Sequence, residues 1–301
     1  MARTIGLVVS DVANPFFAEL AGEFQRRAAG AGYATILCNS DEDAGRQDDY
    51  LATLLAGRQV DGVVLVPTAA MTPGILAAGE AGARLVLFDR PIDCRGTNRA
   101  ATHLATSPVV RSDATAALDE VAELLVRLGH RRIGIIAPPL QTQVGRERRD
   151  LLRDALIARG IDRRAIAVVE GDFRQDSGAR AVESLLSRRQ PPTALFAADG
   201  LMAVGALQGL RSAALRVPHD ISLVGFDDAP WFDVFDPPLT VVAQPVATLA
   251  RAAVTAVLDL IAGRKASGAR PACRFVRRMS CGVPPSGEAR TTSRAGTVVR
   301  S

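Results

Sequence analysis

Short runs of β-branched and apolar residues alternate with longer stretches of helical periodicity along nearly the whole chain, and this alternation restricts the fold more than any other feature. Repeated strand–helix units specify parallel sheets flanked by helices, an α/β architecture. Strands are predicted at residues 4–9, 34–39, 62–67 and 84–89, with helices at 15–29, 44–57 and 73–81 between them. Asn14 can cap the first helix, and Pro15 supplies the fixed φ suited to its first turn. After a polar stretch containing Gly96 and Asn98 the pattern resumes at Val109-Val110, followed by a helix from the capping candidate Asp113 to about residue 128. The scheme then repeats, with strands at 132–137, 165–169, 194–197 and 222–226 and helices at 146–159, 176–188 and 201–211. Residues 239–242 read as a return strand, 245–262 as a long helix with proline in its first turn, and 274–277 as a last strand.

The chain has 301 residues, and domains of about 150 residues make two lobes the expectation. The boundaries that follow are 4–111 plus 243–272 for one doubly wound parallel-sheet lobe and 112–242 plus 273–284 for the other, joined by three crossovers, the first near Arg111. Residues 285–301 turn to Ser, Thr, Gly and Arg without an apolar period, which predicts a disordered tail. With 48% apolar and 23% charged residues, the rest has the balance of a globular protein. The net charge of +4 is modest and its arginines are scattered among carboxylates, weak grounds for a nucleic-acid surface. The first apolar stretch is too short for a signal peptide, and no apolar run approaches the roughly 18 residues that span a bilayer. Cys38, Cys94, Cys273 and Cys281 show no metal or disulfide spacing, so the expected setting is a reducing cytoplasm, with no metal and no cofactor.

In open parallel sheets, ligands bind beyond the carboxyl ends of the strands. There the sequence places Ser10-Asp11, Asp89-Arg90, Gly171-Asp172-Phe173, Asp199 and Asp227-Asp228. One aspartate after a strand is commonly a helix cap or turn former; a series in the same register in both halves points to a ligand. Carboxylates accept from vicinal hydroxyls, arginine donates in a planar fork and aromatic faces cover C–H surfaces, so the set suits a hydroxyl-rich small molecule. Catalytic motifs are absent: there is no GxSxG, GxxxxGK[ST] or HExxH and no convincing GxGxxG. Of the three histidines, His103 and His219 fall in expected loops, and His130 is expected to satisfy the last carbonyls of the preceding helix. The adjacent Asp227 and Asp228 are expected to point different ways, unlike a hydrolytic carboxylate pair. The expectation is a protein that binds and does not catalyse.

Several short segments together resemble the lactose-repressor family of transcription regulators: Ile5-Gly6-Leu7-Val8-Val9, Asn14-Pro15-Phe16-Phe17, Val60-Asp61-Gly62, Leu128-Gly129-His130-Arg131-Arg132-Ile133, Val224-Gly225-Phe226-Asp227-Asp228 and Pro238-Leu239-Thr240. Their order and spacing, from about residue 4 to 285, make the combination specific. The resemblance implies a periplasmic-binding-protein-like fold, a homodimer, and a small effector, of sugar type, whose binding controls operator DNA. It implies effector contacts at Ser10, Phe16, Asp89, Arg148, Phe173 and Asp227. Asp199 stands where the family commonly has asparagine, which would favour ligand hydroxyl or amine donors, and Ala243 stands where arginine is frequent, which would remove an interlobe contact. Phe16 and Phe173 also suit a core, Arg148 also suits a local carboxylate, and Trp231 and Phe232 suit either a cleft roof or packing beneath a loop. The family's helix-turn-helix headpiece is not in this sequence, so DNA binding is expected only through such a segment. A transport receptor of similar fold is the alternative reading.

Overall fold

The computed structural model describes residues 3–56, 59–68, 71–92 and 99–285. Expectations for Cys94, Gly96, Asn98 and the tail beyond residue 285 lie outside the described residues. The first sheet contains β1 (Thr4–Val9), β2 (Ala34–Asn39), β3 (Gly62–Leu65), β4 (Leu85–Phe88) and β5 (Val109–Val110), all parallel, in the order β2-β1-β3-β4-β5. Strand alternation sends Ile5, Leu7 and Val9 to one face and Val8 to the other. The first face packs on α1 (Pro15–Gly30) and α9 (Val246–Ile261); the second packs on α2 (Ala44–Ala56) and α3 (Pro73–Glu80). The start of α1 is fixed as its sequence dictates: Asn14 Oδ1 accepts from the Phe16 amide at 3.1 Å, and Phe16, Phe17, Leu20 and Phe24 are buried.

The second sheet contains β6 (Ile133–Ala137), β7 (Ile166–Glu170), β8 (Ala194–Ala197), β9 (Ser222–Phe226), β10 (Thr240–Ala243) and β11 (Arg274–Val276), in the order β11-β10-β9-β8-β6-β7, with β11 antiparallel. One face lies on α5 (Thr115–Arg127) and α6 (Gln143–Ala158), the other on α7 (Gln175–Leu186) and α8 (Gly200–Ser212). The chain passes between the sheets after β5, after β10 and after α9. Two of these passages bond to each other: Arg111 N donates to Ala269 O at 3.0 Å and Cys273 N to Asp113 O at 2.7 Å. Ala243 still pairs with Arg274 in the second sheet, so the second passage starts at Gln244, one residue later than expected.

Three differences from the sequence reading have local causes. Residues 99–105 form a helix, α4 (Arg99–Ala105), inside what reads as a polar break; its seven residues are too few to display a helical period. α6 begins at Gln143 instead of 146 because Thr142 Oγ1 accepts from the Gly145 amide at 3.1 Å. His130 does not cap α5. It is fully buried, with Nδ1 2.8 Å from Thr193 Oγ1 and Nε2 2.9 Å from Gly282 O, and so pins the C-terminal segment to the sheet.

The helices α7 and α8 touch through backbone. A Cβ on Gly205 would lie 1.8 Å from Gln175 O, and one on Gly178 would lie 2.2 Å from Met202 O. This contact sets the position of the α8 N-terminus, where Asp199 sits. Gly205→Ala is expected to destabilise the fold by about 1–3 kcal/mol through forced separation of the helices. Urea denaturation should show a lower midpoint with unchanged slope, and an unchanged midpoint would contradict this packing.

Candidate functional site

The carboxyl ends of the two sheets face each other, and the loops leaving them bring distant residues to one cavity. Phe16, Asp89, Arg148, Phe173, Asp199 and Asp227 all border it, six of the seven residues singled out from sequence. Ser10 does not; it is fully buried, and its Oγ has no hydrogen-bond partner among the described residues. The loops turn sharply to deliver these side chains. Asp89, Phe173 and Asp227 have φ of 61°, 64° and 69°, in the left-handed region that glycine favours. Each such residue costs about 1–2 kcal/mol, and aspartate tolerates it better than phenylalanine. Strain of this kind gathers at ligand clamps.

Two buried arginines organise the charge. Arg148 Nη1 donates to Ala198 O at 2.9 Å, its guanidinium lies 3.7 Å from the centre of the Phe226 ring, and Nη2 is 3.9 Å from Asp89 Oδ1 on the opposite sheet. Arg90 makes a two-pronged pair with Glu42 at 2.7 Å for each hydrogen bond and covers the Phe173 ring at 4.5 Å. Its Nε makes no hydrogen bond among the described residues; Asp89 Oδ2 lies 3.7 Å away.

Asp199 does two things at once. Oδ1 caps α8 by accepting from the Met202 amide at 3.0 Å, and Oδ2 lies 3.4 Å from the donating Asn14 Nδ2 at the start of α1. Burial and then the neighbouring charge of Asp227 push its carboxyl up to about 7. Burial also raises Asp227, whose Oδ1 accepts from Gln244 Nε2 at 2.7 Å; Gln244 in turn accepts from Ser112 Oγ at 2.6 Å. Thus Asp227 is tied to two of the passages between sheets. At the cavity's edge Arg174 donates to Asp41 Oδ1 at 2.7 Å and to Asp11 Oδ2 at 3.4 Å, both carried by the first sheet. These contacts leave about 20 Å³ for the centres of water molecules, room for roughly one.

Sequence reasoning missed Glu42, Arg174 and Gln244 as site residues and read Asn14 only as a cap. The available signal was adjacency: Arg174 follows Phe173, and Gln244 follows the strand after Asp227-Asp228. Phe16 is both core and site, 4.9 Å from Phe17 and 6.4 Å from Phe88 between ring centres while bordering the cavity. Phe232 packs beneath its loop, fully buried against Phe235, whereas Trp231 is exposed. Asp228 turns away from Asp227 and accepts from Arg278 at 2.9 Å. Among the described residues no group of His, Cys, Asp and Glu could hold a metal ion, and no helix is long and apolar enough to cross a membrane.

Two mostly parallel sheets whose facing strand ends share one polar cavity define a two-lobed binding protein. Residues 122–281 match the periplasmic binding protein-like domain. The repressor CytR of Escherichia coli K12 is 33% identical over 277 residues, 89% of this chain and 76% of the relative. The repressor PurR of Pectobacterium carotovorum is 33% identical over 264 residues, 87% of this chain and 74% of the relative. Among solved structures, a LacI family transcriptional regulator from Enterococcus faecium with bound ribose superposes with a TM-score of 0.79 at 27% identity, over 93% of this chain and 99% of that one. The transcriptional regulator CelR in complex with cellobiose superposes with a TM-score of 0.80 at 31% identity, over 92% and 84%. The chain belongs to the LacI family of transcription regulators, and its two-sheet body is the effector-binding domain of such a regulator.

Asp199 changes charge near 7 in the folded chain and near 3.8 when free, so folding takes up a proton between those values. Stability contributed by this group is therefore greatest below 3.8 and falls as pH rises to about 7. Asp199→Asn removes that slope. His130, whose pKa burial lowers, acts in the opposite sense and is common to both proteins. Relative to wild type, the melting temperature of the variant should rise as pH increases across this range, and parallel profiles would contradict the assignment.

Proposed function

We propose that this domain takes a hydroxyl-rich small molecule of sugar type between its sheets, and that lobes 4–111 with 244–272 and 112–243 with 273–284 part to admit it at the polar cavity and close around it. The observation that carries the reading is the convergence of Arg148, Asp199 and Asp227 from one sheet with Asp89 and Arg90 from the other. Carboxylates accept from ligand hydroxyls, the guanidinium forks donate, and Phe16 and Phe173 offer flat faces to ring C–H groups. The relatives crystallised with ribose and with cellobiose support the ligand class. Asp89, Phe173, Asp199 and Asp227 serve as ligand clamps, and Ser10 supports the loop behind them. Each state of the lobes is favoured only by the ligand's difference in affinity for it, typically about 1–3 kcal/mol of coupling.

The domain acts as a homodimeric module of a cytoplasmic repressor, reaching operator DNA through a helix-turn-helix segment of the kind the family carries. It binds its effector without converting it: Asp227 is held by Gln244 and Asp228 by Arg278, so the adjacent pair is not arranged to share a substrate.

A thermal-shift screen of sugars, sugar phosphates and nucleobases tests the site, with Arg148→Ala and Asp227→Ala alongside wild type and sedimentation of the same preparation checking for the dimer. A ligand at 100 times its dissociation constant stabilises by about 2.7 kcal/mol. A sugar is expected to shift wild type and neither variant. A compound that shifts all three equally would place the ligand elsewhere, and a preference for bare nucleobases would overturn the sugar class.

A further inference from the structure

A second chamber of about 200 Å³ lies beside the polar cavity, between the same two sheets. Asn14, Phe16, Asp227 and Gln244 border both spaces, so the two share a wall. The chamber differs in chemistry. Leu201, Val204, Phe232 and Val246 give it an apolar interior, Trp231 stands at its rim 43% exposed, and Glu19 of α1 faces it from the first lobe. Asp228 borders it from the second lobe. Its Oδ2 accepts from Arg278, while its buried Oδ1 accepts from nothing among the described residues.

Glu19 and Arg274 are both exposed on the lining, one from each lobe, and partial burial, then the charges of Glu23 and Asp228, push the Glu19 carboxyl above the usual range. The buried acceptor left without a partner is Asp228 Oδ1, on the same lining as the Glu19 carboxylate. An indole face beside carboxylates attracts cations and N–H donors and repels anions. Size also fits: a dry cavity of about 150 Å³ accepts benzene, so this space holds one substituted ring.

We propose that the chamber is a subsite for an aromatic ring bearing a protonated amine, carried by the effector whose hydroxyl-rich part occupies the polar cavity. The inference extends the effector-site reading to a two-part ligand. Phe16 would stand between the parts, and the α1 N-terminus would be contacted from both sides.

Trp231 is the single tryptophan of the chain, so indole emission reports directly on this chamber. The test titrates the purified protein with benzylamine, benzyl alcohol and benzoate and follows that emission. Benzylamine is expected to change it saturably and to bind about 3- to 30-fold tighter than benzyl alcohol, the scale of an exposed cation–π contact plus a screened ion pair. Benzoate should bind more weakly than either. Glu19→Gln, a rim substitution, should abolish the preference for the amine while leaving the melting temperature unchanged. Equal affinities for the three probes, no saturable change, or an amine preference that survives in Glu19→Gln would overturn the proposal. A sugar screen that fails while benzylamine behaves as expected would instead overturn the reading of the polar cavity.

Discussion

A guanidinium taken out of water has to find counter-charge, and Arg148 finds its carboxylate, Asp89, on the opposite sheet. Desolvating an ion costs several kcal/mol, and partners must be well placed to offset it. Here the offset is divided: Ala198 O and the Phe226 face come from Arg148's own lobe, Asp89 from the other. Asp199, whose carboxyl burial pushes up to about 7, and Asp227 add acceptors within the same space. Arg148 and Asp199 each reach across to the first sheet's side, to Asp89 and Asn14, while Asp227 is held by Gln244 at the passage between them. Bringing the sheets together and filling the cavity are therefore parts of one electrostatic problem, and a ligand that supplies hydroxyls to these charges favours closure through the same contacts that bind it.

One residual defect shows where a ligand has most to gain. Arg90, on the cavity lining, keeps its Nε buried without a hydrogen-bond partner among the described residues, and native folds leave few such atoms. Left-handed backbone at Asp89, Phe173 and Asp227 adds local strain at the ends of β4, β7 and β9. The rigid parts hold this strain in place. The glycine contacts between α7 and α8 allow no slack at the α8 cap, and bonding between the passages at 111–113 and 269–273 gives the two sheets a defined connection.

Much of the fold was legible because it is local. Period-two runs such as Ile5–Val9 and period-3.6 runs such as Phe16 to Phe24 need only neighbours to declare themselves, and Asn14-Pro15 marks a helix start on its own. The site was legible at strand ends, where Asp89, Phe173, Asp199 and Asp227 could be found by register; Arg148, in mid-helix, entered only through family resemblance. What the sequence concealed depends on separation. Asn14 meets Asp199 across 185 residues and Arg174 meets Asp41 across 133, and no local pattern encodes either pair. His130 was misread for the same reason, since its partners lie 63 and 152 residues away.

Charge pairing between the sheets holds the lobes together, and the half-exposed Arg174–Asp41 pair at the cavity's edge can be reversed without any ligand. Small-angle scattering should be recorded for wild type, for Arg174→Asp, and for Arg174→Asp combined with Asp41→Arg. A larger radius of gyration is expected for the single reversal, with most of the difference recovered in the double exchange. Equal dimensions in all three proteins would contradict it, because the lobes would then be held by something other than the charges that meet between them.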